Sequence, residues 1–177
     1  MKFPLVGNVE FISRDQMIEV DRLMIETYGI TLLQMMENAG RSLAIVARER
    51  FFSANCLGKE VLVMAGSGGN GGGAMVAARH LAAWGADVFF VLSHDEKKLA
   101  AVPAHQLATL REMKVPLVSL KEASTARYDL IIDGLIGYSL NGAPRGLGAE
   151  LINMANSNKA PVLALDVPSG LDASLGV

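Results

Sequence analysis

The residues best equipped for chemistry fall in three short segments, each placed directly after an apolar run. The first follows Val61-Leu62-Val63-Met64-Ala65 and carries glycines at 66, 68, 69, 71, 72 and 73, broken by Ser67 and Asn70. Glycine tolerates positive φ and lets a ligand approach the backbone, so successive N–H groups here form an anion-binding concavity. A helix expected from Met75 to Trp84 turns its N-terminal dipole toward the same spot, which suits a phosphate or pyrophosphate. Gly66-Ser67-Gly68-Gly69-Asn70-Gly71 fits G-x-G-x-x-G between a strand and a helix, the context of dinucleotide binding. No Lys-Ser or Lys-Thr follows the glycines, so the cation clamp of a P-loop is missing. The competing reading of these glycines is a tight strand-to-helix turn without a ligand.

The other two segments run from Asp133 to Gly142 and from Asp166 to Asp172. Singly, Asp133 and Asp166 read equally well as turn or cap residues and as functional carboxylates. Their shared position after apolar strands, together with the glycine segment, favours one crevice, because ligands in open α/β sheets bind beyond the carboxyl ends of strands at a switch point. Weaker candidates fall away. His80, His94 and His105 lack metal-ligand spacing, Ser169 in Pro-Ser-Gly is no nucleophile elbow, and Arg145 reads as an exposed arginine at a helix start.

Holding three such segments together requires a layered sheet. Two helices are expected before the first strand, opened by the capping-box patterns Ser13-x-x-Gln16 and Thr31-x-x-Gln34 and separated by Gly29. In the second, Leu32, Met36, Ala39, Leu43 and Val46 form one apolar stripe, and Met17, Val20 and Met24 do the same in the first. The methionines read as adaptable core or subunit packing. Beyond Gly58, strands are expected at Val61–Met64, Ala86–Leu92, Pro116–Leu120, Leu130–Ile132 and Val162–Leu165, with helices at Met75–Trp84, Pro103–Lys114 and Gly148–Asn156. Near-continuous apolar strands alternating with helices predict an α/β fold with a Rossmann-like, doubly wound, mostly parallel sheet behind two N-terminal helices.

The chain has 177 residues, of which 51% are hydrophobic, enough for the core of one domain. A formal charge of −2, with scattered acids and bases, offers no basic face for nucleic acid and no polybasic membrane anchor. Cys56 is the single cysteine, which points to a reducing compartment. The N-terminal apolar run is too short for a signal peptide and no stretch reaches membrane-spanning length, so a cytoplasmic protein is expected.

Several ordered motifs together resemble the NAD(P)H-hydrate epimerases, also called YjeF N-terminal domains. They are Met35-Met36-Glu37-Asn38-Ala39-Gly40, Gly66 to Gly72, Ala77-Ala78-Arg79-His80-Leu81, Asp133-Gly134-Leu135-Ile136-Gly137, and Leu165-Asp166-Val167-Pro168-Ser169-Gly170-Leu171-Asp172. The resemblance spans nearly the whole chain and implies one Rossmann-like domain over residues 1–177, a homodimer, and interconversion of the R and S forms of hydrated NADH and NADPH. The repaired cofactor would then come from a separate NAD(P)H-hydrate dehydratase. By the same resemblance, potassium falls on Asn70, Asp133 and Ser169. The nucleotide falls on Gly69, Asn70, Gly71, Gly72 and Gly73, on Gly137, Tyr138, Ser139, Leu140, Asn141, Gly142 and Ala143, and on Asp166. Oxygen donors of this kind suit a hard cation, and Asp166 is the expected proton-transfer group.

The sequence departs from the family at two places. The family loop reads Gly-Asn-Asn-Gly-Gly-Asp-Gly, whereas Gly69 and Gly73 stand here for its first Asn and its Asp. Relatives also continue past Pro-Ser-Gly through more sheet, so the expectation is either a domain cut short at its C-terminal end or a fold that closes differently. Two alternatives follow from the loop: a non-catalytic nucleotide-binding or dimeric interaction module, and an NAD(P)-dependent oxidoreductase with Asp95 or Glu96 as its ribose acid.

Overall fold

The computed structural model describes residues 12–176. Two helices come first, α1 (Arg14–Glu26) and α2 (Leu32–Phe51), and each opens with the expected capping box. Then follow β1 (Glu60–Ala65), α3 (Gly69–Ala83), β2 (Asp87–Leu92), a single 3-10 turn at Glu96–Lys98, α4 (Ala101–Glu112), α5 (Leu120–Thr125), β3 (Leu130–Gly134), α6 (Gly146–Ser157) and β4 (Val162–Ala164). The strands form one sheet of order β2-β1-β3-β4, and every pairing is parallel.

Alternate residues of the strands enter two separate cores. Val61, Val63, Phe90, Leu130 and Ile132 pack with Leu43 of α2, Met75 and Leu81 of α3, and Leu107 and Leu110 of α4. Leu62, Met64, Val91 and Ile131 pack on the other face with Ala123 of α5 and with Leu151 and Ala155 of α6. Each fully buried leucine or isoleucine here contributes roughly 1.5–3 kcal/mol. The doubly wound expectation therefore holds, and both sheet faces are covered as the apolar strands require.

The strand expected at Pro116–Leu120 is not formed. Leu117 makes an isolated parallel bridge with Phe90 of β2, and the Ser119 side chain then caps α5 with Glu122 in a capping box, turning the chain into a helix. The buried side of α2 also differs from the expected stripe. It consists of Met36, Gly40, Leu43, Ala44 and Ala47, whereas Ala39 is exposed. Small residues take the inner side because α2 crosses α3 closely: a Cβ on Gly40 would overlap the Gly73 carbonyl and Val76.

Topology supplies the switch point. From β1 the chain passes through α3 to β2 on one side, and β3 lies on the other side of β1. The Gly66 N–H donates to the Gly134 carbonyl at 2.9 Å, so the two strands are still joined where their loops diverge.

Candidate functional site

A cavity of about 790 Å³ opens beyond this divergence. Gly69, Asn70 and Gly73 of α3, Gly137, Tyr138 and Ser139 after β3, and Leu165 and Asp166 after β4 form one wall. The opposite wall comes from the first two helices and includes Met17, Asp21 and Met24 of α1 with Met35, Met36, Asn38 and Ser42 of α2. The three segments singled out by their chemistry thus do meet at one sheet edge, with Asp133 and Ser169 set deeper.

The glycine segment works differently from the expectation. None of Gly66, Gly68, Gly69, Gly71, Gly72 or Gly73 has a positive φ, and α3 begins at Gly69 rather than near Met75. These glycines serve close packing. A Cβ on Gly66 would overlap the Leu135 carbonyl, one on Gly71 the Gly66 backbone, and one on Gly72 would lie 2.5 Å from Met36 Sδ. Gly71 and Gly72 are consequently buried beneath the cavity, while the N–H groups of the first turn of α3 lack intrahelical acceptors and face an anion-friendly helix end. At Gly73, where the resemblance leads one to expect an acid, a Cβ would lie 2.6 Å from Leu165 Cδ2.

Asp133 is buried, and both its oxygens are engaged. Oδ1 accepts from the Ser169 hydroxyl at 2.6 Å and the Leu135 N–H at 3.1 Å, and Oδ2 accepts the Ser169 N–H at 2.8 Å. The Ser169 hydroxyl also accepts the Ile136 N–H at 2.8 Å. Among the described residues no cationic side chain pairs with Asp133. Asn70 stands over the end of β3, its carbonyl 3.2 Å from where a Gly134 Cβ would be, and its buried Nδ2 has no hydrogen-bond partner.

At the rim, Asp166 Oδ2 accepts the Tyr138 N–H at 2.8 Å. Gly137 permits this, since a Cβ there would lie 2.6 Å from that oxygen and 3.5 Å from Asn70 Cγ. The Tyr138 hydroxyl donates to Asp21 Oδ2 at 2.5 Å. Burial, and then the Asp21 hydrogen bond, push the phenol up to about 12, so it stays protonated near neutrality. Leu140 is buried with its N–H on the Gly137 carbonyl at 3.2 Å, whereas Asn141, Gly142 and Ala143 are exposed and lie outside the cavity lining.

Sequence patterning missed the α1 wall. Met17, Asp21 and Met24 are spaced to share one helix face, and an aspartate in the middle of an otherwise apolar face was the available signal. Met17, Met24, Met35 and Met36, expected as core or subunit packing, line the cavity, and Met36 is buried as well. Glu37 was also missed; it accepts from His80 at 2.8 Å and from Arg79, fastening α2 to α3. The ribose-acid candidates are engaged elsewhere: Asp95 accepts the Lys97 N–H at 2.9 Å, and Glu96 pairs with Arg111. Among the described residues no cluster of three or more His, Cys, Asp and Glu side chains could hold a metal, and no helix is long and apolar enough to cross a membrane.

Comparison with known proteins agrees with this geometry. The family described as YjeF-related protein N-terminus matches residues 32–177. The chain belongs to that family. Within the YjeF-related family, a protein of Dehalogenimonas lykanthroporepellens named NAD(P)H-hydrate epimerase is 44% identical over 161 residues, covering 91% of this chain and 65% of its own. A Hyperthermus butylicus protein named bifunctional NAD(P)H-hydrate repair enzyme Nnr is 37% identical over 161 residues, 85% of this chain and 28% of its own. The crystal structure of yeast ynu0, YNL200c, superposes with a TM-score of 0.77 at 29% identity, covering 93% of this chain and 72% of the yeast chain. This chain thus spans 65% of the length of the Dehalogenimonas relative.

Proposed function

We propose that the chain binds hydrated NADH and NADPH in the switch-point cavity and interconverts their R and S forms. One observation carries this reading: Asn70 at the start of α3, the Gly137–Ser139 turn and Asp166 line one cavity, in a chain whose relatives bear the epimerase name. Hydration of a dihydronicotinamide, an enamine, places the new hydroxyl on the carbon beside the ring nitrogen, so changing its configuration requires that C–O bond to break and re-form on the other face. An acid protonates the departing hydroxyl, which leaves as water while the nitrogen lone pair stabilises the cation, and the resulting base takes a proton from the water that returns. Asp166 suits this work. Tyr138 holds Oδ2, and Oδ1, without a partner among the described residues, is free to exchange a proton with the substrate. The methionine side chains of α1 and α2 give the ring an apolar, adaptable wall.

Potassium fits the neighbouring donors. Asp133 is a buried carboxylate without a cationic partner among the described residues, Ser169 adds a hydroxyl, and exchanging the amide O and N of Asn70 turns its orphaned position into an oxygen ligand. Bound there, the ion would offset phosphate charge. Second-copy association suits the exposed Ile18 and Ile25 of α1 and Leu33 of α2, and the bifunctional name of the Hyperthermus relative supports a dehydratase as functional partner. The cytoplasm, where reduced nicotinamide cofactors are consumed, goes with this reading, as does a single domain over residues 1–177.

The deciding experiment adds the protein to pure S or R hydrated NADH and follows the other epimer by proton NMR. Appearance faster than the spontaneous rate is expected. Tight binding at the spontaneous rate would instead favour the non-catalytic module, the reading that Leu165 beside Gly73 supports. Hydride transfer to a simple carbonyl substrate would favour an oxidoreductase, against which the engagement of Asp95 and Glu96 counts.

A further inference from the structure

α1 is a wall of the cavity without being part of either core. It has no buried residue, yet Met17, Asp21 and Met24 face the cavity. Among the described residues, the bond from the Tyr138 hydroxyl to Asp21 is the one side-chain hydrogen bond that joins α1 to another element. Tyr138 is also held at its other end, where its N–H donates to Asp166 Oδ2 at 2.8 Å. One residue therefore links the α1 wall to the rim carboxylate.

We propose that Asp21 is a positioning residue of this cavity: acting through the Tyr138 hydroxyl, it seats α1 against the site and holds the Tyr138 peptide on Asp166. The carboxylate serves as acceptor and takes no proton from the substrate. A charge-assisted bond to a half-buried phenol is stronger than a bond between neutral groups, and the high pKa of the phenol, about 12, keeps the donor hydrogen in place. With the bond made, Met17 and Met24 complete the apolar wall. With it broken, no side-chain hydrogen bond among the described residues fastens α1 beside the cavity, and the cavity loses one side.

The kinetic part of the test rests on the epimerase reading; the other two parts do not. Tyr138→Phe removes the donor, Asp21→Ala the acceptor, and Asp21→Asn restores an acceptor oxygen. For the first two variants KM should rise roughly tenfold with a smaller change in kcat, and the double variant Asp21→Ala/Tyr138→Phe should be no worse than either. Asp21→Asn should recover much of the loss. Hydrogen exchange should speed up across α1 in the first two variants while β1 and β3 stay protected, which separates unseating of α1 from unfolding. Ultraviolet titration should show one phenol ionising at lower pH in Asp21→Ala, with Asp166 and Arg14, the other charges acting on Tyr138, still present. Unchanged exchange in α1, or additive losses in the double variant, would overturn the proposal. Absence of epimerisation by the unaltered protein would overturn the functional reading alone, and exchange and titration would still decide the role of Asp21.

Discussion

The Ser169 hydroxyl and N–H reach Asp133 Oδ1 and Oδ2 at 2.6 and 2.8 Å, so one residue after β4 engages both oxygens of a buried carboxylate in β3. This pair ties the loop after β4 to the end of β3 beneath the cavity. It also forms part of the proposed potassium site. If potassium binds there, it should raise the thermal midpoint more than lithium does at equal ionic strength, because an ion bound to the folded state alone stabilises it. Asp133→Ala should erase the difference between the ions and, by stranding the Ser169 donors, cost about 1–3 kcal/mol in denaturant titration. A potassium effect that survives in the variant would remove Asp133 from the ion site.

Asp166→Asn keeps an oxygen that can accept the Tyr138 N–H, so the fold should be retained, as judged by an unchanged urea midpoint. Epimerisation should fall at least roughly a hundredfold if the carboxylate moves the proton. Turnover close to that of the unaltered protein would leave Asp166 as a turn residue.

The same substitution should have opposite signs at two helical glycines. Gly40→Ala places a methyl against the Gly73 carbonyl and Val76, and since backbone cannot yield cheaply it should destabilise by about 2 kcal/mol or more despite better helix propensity. Gly148→Ala in α6 meets nothing within 4 Å and should stabilise by about 0.5–1 kcal/mol. Chemical denaturation of the two variants reads both, and equal signs would contradict the close crossing of α2 and α3.

Burial opposes ionisation of Glu37, but hydrogen bonds from Arg79 and His80 outweigh it and hold the carboxyl below its usual value of 4.5. A depressed folded pKa contributes stability that is complete above the unfolded value and is lost as pH falls through the folded one. Because the side chain is 42% exposed, the effect should stay under about 1 kcal/mol. Glu37→Gln should be less stable than the unaltered protein near neutrality, and the gap should close as the pH falls below 4.5. A gap that widens in acid would reverse the assignment.

Gly73→Asp tests the missing family acid. Gly73 is helical with ordinary φ, so the obstacle is Leu165 Cδ2, 2.6 Å from the added Cβ. The single substitution should lower stability, and Gly73→Asp combined with Leu165→Ala should tolerate the acid better and tighten nucleotide binding in calorimetry. No change in affinity for the pair would show that the loop no longer contacts ribose.

Much of this architecture was legible in the sequence because its causes are local. The capping boxes at Ser13 and Thr31 span three positions each, the strands declare themselves as apolar runs, and carboxyl-end placement put Asn70, Asp133 and Asp166 at one sheet edge. Glycine density, by contrast, argued for a loop where α3 already begins. Packing of Gly71 and Gly72 against the Gly66 backbone and Met36 overrides their poor helix propensity, and no local rule contains those partners. The α2 face was misjudged for the same reason, since Gly40, Ala44 and Ala47 look inert until α3 crosses over them. Only the tertiary structure joined Asp21 to Tyr138, which lie 117 positions apart. Periodicity fixes which face of a helix is apolar, whereas the element that this face meets is decided by how all the layers close around one sheet.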